Sequence, residues 1–213
     1  YDAIDLLPNS SLNGDDFFKI LGIKLWYDGS PYAGSMYIKD PYLENNFTKN
    51  ILNIPSRHSG FPLLTKSKLN FYINTYQSKG WQIAIHAQGD QAIKEILNSF
   101  EDVENQLKND YRHRLEHCLL IEESSIKQMS KLNIHPSFHI NYLYYYGNSL
   151  KRQVLGSPRA DRILPLKLAK EHSLKYSLHS DQPMFPGKPL SLLQTAVSRK
   201  TKEGDVLGEQ YSL

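Results

Sequence analysis

The sequence predicts an α/β fold in which parallel strands alternate with helices, forming part of a (β/α)8 barrel. Short apolar runs alternate with amphipathic stretches of about ten to fifteen residues, which is the pattern of βαβ units. Two of these runs end in histidine, at His86 and His117, and a third leads to Asp181. Residues at the carboxyl ends of parallel strands share one rim of a barrel, so these side chains are expected to meet.

The elements follow in chain order. An apolar run over 19–26, closed by a turn signal at Asp28-Gly29-Ser30-Pro31, predicts the first strand. Thr65 is expected to cap a helix through residue 79, and Asp90 to cap a helix with one apolar stripe. The remaining strands are predicted at 81–86, 114–118, 133–139 and 175–180, the remaining helices at 122–132, 162–173 and 189–200, and a Tyr-rich loop at 140–158.

We expect residues 1–213 to form a single domain with a long loop insertion at 30–64. Five strands are too few for an eight-stranded barrel, and the chain opens without a methionine. We therefore expect it to be the C-terminal part of a barrel whose first strands lie upstream. Unpaired strands at the edges of such a piece favour a homo-oligomer.

The composition excludes several classes of partner. The net charge is only +3 and no basic stripe is present, which argues against nucleic acid. No apolar run approaches the roughly 18 residues of a membrane span, so we expect a cytoplasmic protein that does not bind membranes. A single cysteine rules out an internal disulfide framework. The expected partner is a small-molecule substrate.

The candidate site consists of polar residues at predicted strand ends, namely Lys24, His86, His117, His139 and Asp181. Imidazole and carboxylate groups together bind borderline divalent metals such as zinc, and such sites activate water. The alternative for each histidine is a core residue bonded to the backbone, for Asp181 a turn cap, and for Lys24 a surface lysine.

Three other features have competing interpretations. His113 and His117 are four residues apart, a zinc spacing on a helix, but the segment reads as a strand and HExxH is absent. Cys118 is expected to be a buried thiol, because adjacent strand residues point to opposite faces and a Cys-His dyad would be poorly aligned. The aromatic cluster 142–146 is either a plug or a substrate-facing wall.

Five strings together resemble the amidohydrolase superfamily, in the branch called amidohydrolase family 3. The resemblance runs from about residue 17 to 208, nearly the whole chain, and the strings follow in order and at suitable spacing: GIKLWYDGSP from Gly22, HAQGD from His86, RLEH from Arg114, PSFH from Pro136 and LHSDQP from Leu178. Members of this branch are often labelled metal-dependent hydrolases or exoenzyme-regulatory proteins.

The resemblance implies a (β/α)8 barrel of which this chain supplies about strands 4–8, with one or two divalent metals, usually zinc. Lys24 matches a lysine that is typically carboxylated and bridges the metals. His86 and His117 match metal ligands, and Asp181 matches an aspartate that binds metal and relays protons. The family's first-strand His-x-His pair has no counterpart here. Its flanking β-sandwich is also missing.

The function implied is hydrolysis of a carbon–nitrogen bond in a non-peptide or cyclic amide by metal-activated water, with Asp181 as the catalytic proton carrier. His139, His179, Tyr145 and Asp28 are expected to contact the substrate. The isolated chain is expected to be catalytically inert. The alternatives are ester or phosphoester hydrolysis on the same scaffold and a non-enzymatic regulatory or binding protein on a degenerate barrel.

Overall fold

The computed structural model describes residues 14–104 and 110–213, and within them five strands form one parallel sheet. The strands lie side by side in chain order, and each pairs with the next through parallel registers. Their bounds are Gly22–Trp26 (β1), Gln82–Ala87 (β2), Arg114–His117 (β3), His135–His139 (β4) and Ser177–His179 (β5). This order, with at least one helix between each strand and the next, is that of consecutive βα units in a barrel, which confirms the predicted fold class.

Seven α-helices accompany these strands in the described ranges. They are Lys66–Ser78 (α1), Asp90–Glu104 (α2), Glu123–Leu132 (α3), Asn141–Ser149 (α4), Ser157–Ala160 (α5), Leu166–Glu171 (α6) and Pro189–Ser198 (α7). The Thr65 side chain accepts a hydrogen bond from the Lys68 amide at 3.3 Å, so α1 begins where the sequence predicts. None of these helices combines the length and the apolar character needed to cross a bilayer.

The sheet has an apolar outer face and a polar inner face. On the outer face Leu25, Ile85 and Leu115 are at most 3% exposed and belong to the core shared with the helices. On the inner face, the register places Trp26, His86, Glu116 and Ser137 in one row across four strands. The alternation of side chains along each strand therefore separates the core from the face that carries the candidate site.

The predicted loop at 140–158 is wrong, because this segment is mostly helical. Helix α4 continues into a π-helical turn at Leu150–Val154 and is followed by α5. The run of tyrosines hid the helix, because aromatic residues have only moderate helix propensity and Gly147 interrupts the pattern. Burial settles the conformation, since Tyr142, Leu143 and Leu150 all lie in the core.

The helix predicted at 162–173 is shorter in the structure, where α6 begins at Leu166. Leu164 has a φ of 49°, which no helix residue adopts, and Pro165 stands just outside the helix as its N-cap. The first strand is also shorter than the predicted 19–26, because pairing with β2 begins at Gly22.

The predicted long loop at 30–64 contains a 3₁₀ turn at Pro31–Ala33 and a π-helical turn at Phe47–Ile51. It is fastened to the rim of the sheet by backbone hydrogen bonds. The Ala92 amide donates to the Tyr37 carbonyl at 3.2 Å, and the Leu43 amide donates to the Val154 carbonyl at 2.9 Å. The loop therefore joins the turn after β2 to the helical segment after β4.

Candidate metal centre

The carboxyl ends of four strands bring four imidazoles together on the inner face of the sheet. The His86 and His117 ring centroids are 4.3 Å apart, and those of His117 and His179 are 5.0 Å apart. His139 completes the group, with its ring centroid 5.5 Å from that of His117 and 4.9 Å from that of His179. We refer to these four residues as the histidine cluster.

Asp181 joins this cluster two residues beyond β5. His117, His139 and Asp181 each offer one ligand atom, and the three atoms lie within 4.8 Å of one another. The structure therefore brings His86, His117 and Asp181 to one cavity at the same rim, but the ligand atoms that lie together belong to His117, His139 and Asp181 and not to His86. His139, a strand-end candidate that the resemblance did not assign as a ligand, is part of this group.

His117 reaches the cluster through a strained turn. Its φ is 75°, and the Cys118 amide donates to the Glu116 carbonyl at 3.1 Å, so His117 is the central residue of a positive-φ γ-turn. Asp181 also has a positive φ, of 56°. Such conformations cost about 1–3 kcal/mol each and concentrate at functional sites. Two of the candidate ligands thus carry backbone strain.

Several ring nitrogens of the cluster lack hydrogen-bond partners. Among the described residues, Nδ1 of His117, both ring nitrogens of His139 and Nε2 of His179 are buried and unpartnered. Leaving a buried polar atom unsatisfied costs about 1–3 kcal/mol. A bound cation would satisfy these atoms, and a set of nitrogen and carboxylate donors is the set that zinc prefers. The residues present therefore fit a divalent metal.

Burial holds the imidazoles of the histidine cluster in their neutral form. Burial lowers the pKa of His86 to about 4, and burial together with neighbouring histidines lowers the pKa of His139 to about 3. The pKa of His117 is lowered further by burial and the three surrounding imidazoles. The rings are therefore neutral near pH 7, which is the form that coordinates a metal.

Lys24 lies beside the cluster on the wall of a cavity of about 590 Å³ that His86, His117 and Asp181 also line. Its ammonium group lies over the Trp26 ring, 5.6 Å from the centroid. Desolvation lowers the pKa of Lys24, although the residue is exposed to solvent on the inner face. The structure thus places the predicted lysine next to the predicted histidines.

Asp28 has no surface for a substrate to contact. It is fully buried, and its two carboxylate oxygens accept hydrogen bonds from the amides of Tyr37, Gln88 and Gly89 at 2.9–3.0 Å. One of those oxygens lies 3.8 Å from Nε2 of His86. The geometry therefore assigns Asp28 to positioning the turn after β2 and its histidine, in place of the substrate contact expected from sequence.

The other residues expected to contact the substrate divide into two groups. His139 and His179 lie in the histidine cluster itself. Tyr145 is outside the cavity lining and stacks on Phe185, with ring centroids 4.7 Å apart. The tyrosines that line the cavity are Tyr32, Tyr142 and Tyr146. Sequence reasoning missed this because it treated the segment as a loop, in which helical spacing has no meaning.

His113 and Cys118 lie apart from the centre. Nδ1 of His113 accepts a hydrogen bond from the Ile83 amide at 3.0 Å, so it caps the neighbouring strand. Cys118 is fully buried, its thiol bonds to the Leu115 carbonyl at 3.4 Å, and burial raises its pKa well above the usual value. These observations agree with a buried thiol and with the absence of a helical zinc motif at His113 and His117.

The family profile described as the amidohydrolase family matches residues 2–213. The chain belongs to the amidohydrolase family. The candidate metal ligands described above therefore lie in a chain of a hydrolase family.

Curated relatives of this amidohydrolase chain are longer than the chain. It is 30% identical over 183 residues to Protein LONG AFTER FAR-RED 3 of Arabidopsis thaliana, an alignment that covers 84% of this chain and 29% of the relative. It is 26% identical to the N-substituted formamide deformylase of Arthrobacter pascens, in an alignment that covers 69% of this chain and 27% of the relative. It is 23% identical to the putative amidohydrolase YtcJ of Bacillus subtilis (strain 168), covering 94% and 36%. The chain thus spans about a third of each relative.

Solved structures support the fold. An uncharacterized metal-dependent hydrolase from Pyrococcus horikoshii superposes with a TM-score of 0.77 at 22% identity, covering 100% of this chain and 40% of the other. An uncharacterized metal-dependent hydrolase from Pyrococcus furiosus gives a TM-score of 0.74 at 24% identity, and the superposition covers 93% of this chain and 38% of the other. At these identities the likeness establishes the architecture of the amidohydrolase chain.

Proposed function

We propose that the protein carrying this chain is a metal-dependent hydrolase of carbon–nitrogen bonds in non-peptide or cyclic amides. The observation that carries the proposal is the convergence of neutral, unpartnered imidazoles with Asp181 at one rim of the sheet. Membership of the amidohydrolase family supports the hydrolytic chemistry, and the name of the formamide deformylase supports an amide as the bond attacked.

Lys24, His86, His117, His139 and Asp181 would hold the ion, which we propose to be zinc, with Lys24 in its carboxylated form. When bound, such an ion supplies Lewis acidity that polarises a carbonyl and lowers the pKa of water. Lys24 is suited to carboxylation because desolvation lowers its pKa and so favours the neutral amine that captures carbon dioxide. Carboxylation would convert a cation in the cluster into an anionic ligand.

The proton path runs through Asp181. Its carboxylate lies at the rim, next to the cavity and to ligand atoms of two histidines. It accepts a proton from the attacking water and delivers it to the leaving nitrogen, which must be protonated to depart as an amine. His179 packs against the rings of His117 and His139 and orients them.

We propose that the 213-residue chain alone is inactive, because it covers only about a third of its relatives and lacks a His-x-His pair. The exposed apolar residues Leu190, Leu193 and Val197, spaced along one side of α7, favour a homo-oligomer. Amide turnover by the isolated chain would contradict the proposed inactivity. A monomer found by light scattering would contradict the proposed homo-oligomer.

The test of the function is a substrate panel on the full-length protein. Metal content is measured first, and then hydrolysis of linear amides, cyclic amides, esters and phosphoesters. We expect amide hydrolysis that is lost on chelation and restored by metal, with kcat about 10²–10⁴-fold lower in Asp181→Asn. His172→Gln, at an exposed pair with Glu123, serves as control. Turnover of esters or phosphoesters alone, or bound metal without turnover of any compound, would contradict the proposal.

A further inference from the structure

One side of the cavity beside the histidine cluster is built from aromatic rings. Tyr142, Tyr146 and Ser149 lie at helical spacing on one face of α4, and all three line the cavity. Tyr32, from the 3₁₀ turn that follows β1, packs against Tyr146, with ring centroids 5.2 Å apart. We call Tyr32, Tyr142 and Tyr146 the aromatic wall.

The aromatic wall leads directly away from the candidate metal centre. The Tyr142 ring packs edge-on against His139, with centroids 4.7 Å apart, and the Tyr146 ring follows at 5.5 Å from that of Tyr142. A substrate whose scissile bond sits at the histidine cluster therefore extends its remaining atoms along these rings. Aromatic contacts of this kind add about 0.5–1.5 kcal/mol beyond the burial of apolar area.

The rest of the cavity carries no formal charge. The lysine, histidine and carboxylate side chains in its lining all belong to the candidate centre, and they are Lys24, His86, His117 and Asp181. The other lining residues are neutral polar, aromatic or thioether side chains, namely Trp26, Ser30, Tyr32, Gln88, Tyr142, Tyr146, Ser149 and Met184. A carboxylate, phosphate or ammonium group placed there would lose its hydration without gaining an ionic partner, which is costly.

Gln88 provides the one buried amide in this lining. It is 2% exposed, and its Nε2 donates a long hydrogen bond of 3.5 Å to the Tyr142 hydroxyl. Its Oε1 is buried with no partner in the part of the chain that the structure describes. An N–H donor on a bound molecule would satisfy this acceptor, whose isolation otherwise costs about 1–3 kcal/mol.

We propose that the substrate is an uncharged amide bearing an aromatic ring, that this ring packs on the aromatic wall, and that Gln88 accepts a hydrogen bond from the substrate N–H. The inference rests on the proposed amide hydrolysis and adds the class of substituent. Tyr146 is then the residue that selects aromatic groups, and Gln88 the residue that selects secondary over tertiary amides.

The first experiment measures kcat/KM on the full-length, metal-loaded protein with matched amides. N-methylacetamide is the reference compound. N-benzylacetamide places an aromatic ring on the amine side of the amide, and N-methyl-phenylacetamide places one on the acyl side. N-(2-aminoethyl)acetamide carries a charged group in place of the ring. We expect at least one aromatic amide to be turned over more than tenfold better than its methyl counterpart, and the charged amide to be the poorest. In Tyr146→Ala this aromatic-to-methyl ratio falls about tenfold.

Tyr144→Ala is the matched control for Tyr146→Ala. Tyr144 lies on the same helix, packs edge-on against Tyr145, and lines a separate groove with Thr195 and Lys200. Both variants remove a tyrosine ring from α4, so a general loss of helix packing would affect both. We expect the aromatic-to-methyl ratio to be unchanged in Tyr144→Ala.

A binding measurement on the metal-free protein separates this inference from the proposed function. Calorimetry is expected to give about tenfold tighter binding of N-benzylacetamide than of N-methylacetamide, and to lose this difference in Tyr146→Ala. Gln88→Met is expected to weaken binding of N-benzylacetamide more than that of N-benzyl-N-methylacetamide, which has no N–H to donate.

The outcomes distinguish the two claims. Equal binding of aromatic and methyl amides, or preference for the charged amide, overturns the inference whatever the activity. Amide hydrolysis without aromatic preference likewise overturns the inference and leaves the proposed function standing. Selective binding of the aromatic amide without hydrolysis of any amide supports the aromatic wall and contradicts the proposed function.

Discussion

The carboxylate of Asp28 lies 3.8 Å from Nε2 of His86, buried beneath the turn that follows β2. Three backbone amides hold it there: Oδ1 accepts from Gln88, and Oδ2 accepts from Tyr37 and Gly89. Burial raises the pKa of Asp28 to about 7, while the three amides act in the opposite direction. This one side chain therefore connects the 30–64 loop, the turn after β2 and a candidate metal ligand.

Asp28→Asn is expected to loosen this connection. Asparagine has one carbonyl oxygen, so its amide nitrogen faces at least one backbone N–H donor in either orientation, and faces that of Gln88 when the oxygen takes the place of Oδ2. We expect unfolding free energy to fall by about 2–3 kcal/mol and metal affinity to fall about 10–100-fold. Urea unfolding of the metal-free protein and metal titration measure the two effects separately.

Asp90→Asn is the matched control, because Asp90 lies in the same turn but uses one oxygen. Its Oδ1 accepts from both Lys39 at 2.9 Å and Gln91 at 3.0 Å, an arrangement that asparagine reproduces. We expect stability and metal affinity close to wild type. Equal losses in both variants would show that Asp28 acts through the net charge of the turn, contrary to the positioning role.

Replacing a cluster histidine should have opposite effects on the metal-free and metal-bound protein. Both ring nitrogens of His139 are buried and unpartnered, so His139→Leu is expected to stabilise the metal-free protein by about 1–2 kcal/mol. The same variant should lose most of the stabilisation that added zinc gives to wild type. Urea unfolding with chelator and with zinc tests both signs.

The control is His135→Leu, at the opposite end of β4, where Nε2 bonds to Asn133 Oδ1 at 3.1 Å. It should leave the zinc-induced stabilisation unchanged. A metal-free His139→Leu protein that is less stable than wild type, with normal zinc stabilisation, would mean that His139 serves the core and not the ion.

His113 is expected to make the protein sensitive to acid independently of any metal. Burial lowers its pKa from 6.5 to about 4, and its Nδ1 accepts a bond from the Ile83 amide only when unprotonated. Above pH 6.5 the folded and unfolded states both hold it neutral. As the pH falls from 6.5 to 4 the unfolded state gains the proton first, so stability falls by about 3 kcal/mol.

The measurement is urea unfolding at pH 7 and at pH 4.5 for wild type and His113→Gln. The variant should be less stable than wild type at pH 7, because the acceptor for Ile83 is perturbed, but should lose less stability on acidification. An identical loss in both proteins would assign the acid sensitivity to the other buried histidines.

Arg199 is a buried cation that donates to backbone carbonyls and lies over the Tyr211 ring, 5.9 Å from its centroid. It is fully buried, and its guanidinium donates to the carbonyls of Leu207, Ile163 and Leu164 at 2.5–2.9 Å. Arg199→Met should leave these carbonyls unpartnered and lower the free energy of unfolding by about 3–5 kcal/mol.

Arg152→Met provides the comparison, since Arg152 pairs with Asp205 at 3.3 Å on the surface. Its loss should cost less than about 1 kcal/mol. Thermal and urea unfolding compare the loss of unfolding free energy in the two variants. Similar small losses would show that water solvates the carbonyls of Leu207, Ile163 and Leu164 when the arginine is removed.

The convergence of His86, His117 and Asp181 could be predicted because it follows from local patterns. Apolar runs alternating with helices require parallel strands, and parallel strands place their carboxyl ends on one rim. The position of each histidine at the end of its apolar run is then enough to predict that the side chains share a rim, without knowledge of long-range packing.

The position of His139 at a strand end was predictable from the sequence, but its role as a ligand and the aromatic wall were not. The place of His139 as a candidate ligand depends on the curvature that brings β3 and β4 around a common centre. The γ-turn that aims His117 inward breaks the alternation on which strand-face predictions depend. Tyr142 and Tyr146 face the cavity because they lie on one side of a helix. The composition of this segment does not favour a helix over a loop, and burial of its apolar residues decides the conformation.

The most direct test of the central claim is anomalous diffraction at the zinc absorption edge from crystals of the full-length protein. We expect a peak among His86, His117, His139 and Asp181, at about 2.0–2.1 Å from ring nitrogens of at least two of the histidines. A zinc-loaded protein with its peak elsewhere, and none in the histidine cluster, would contradict the assignment of this rim as the metal centre.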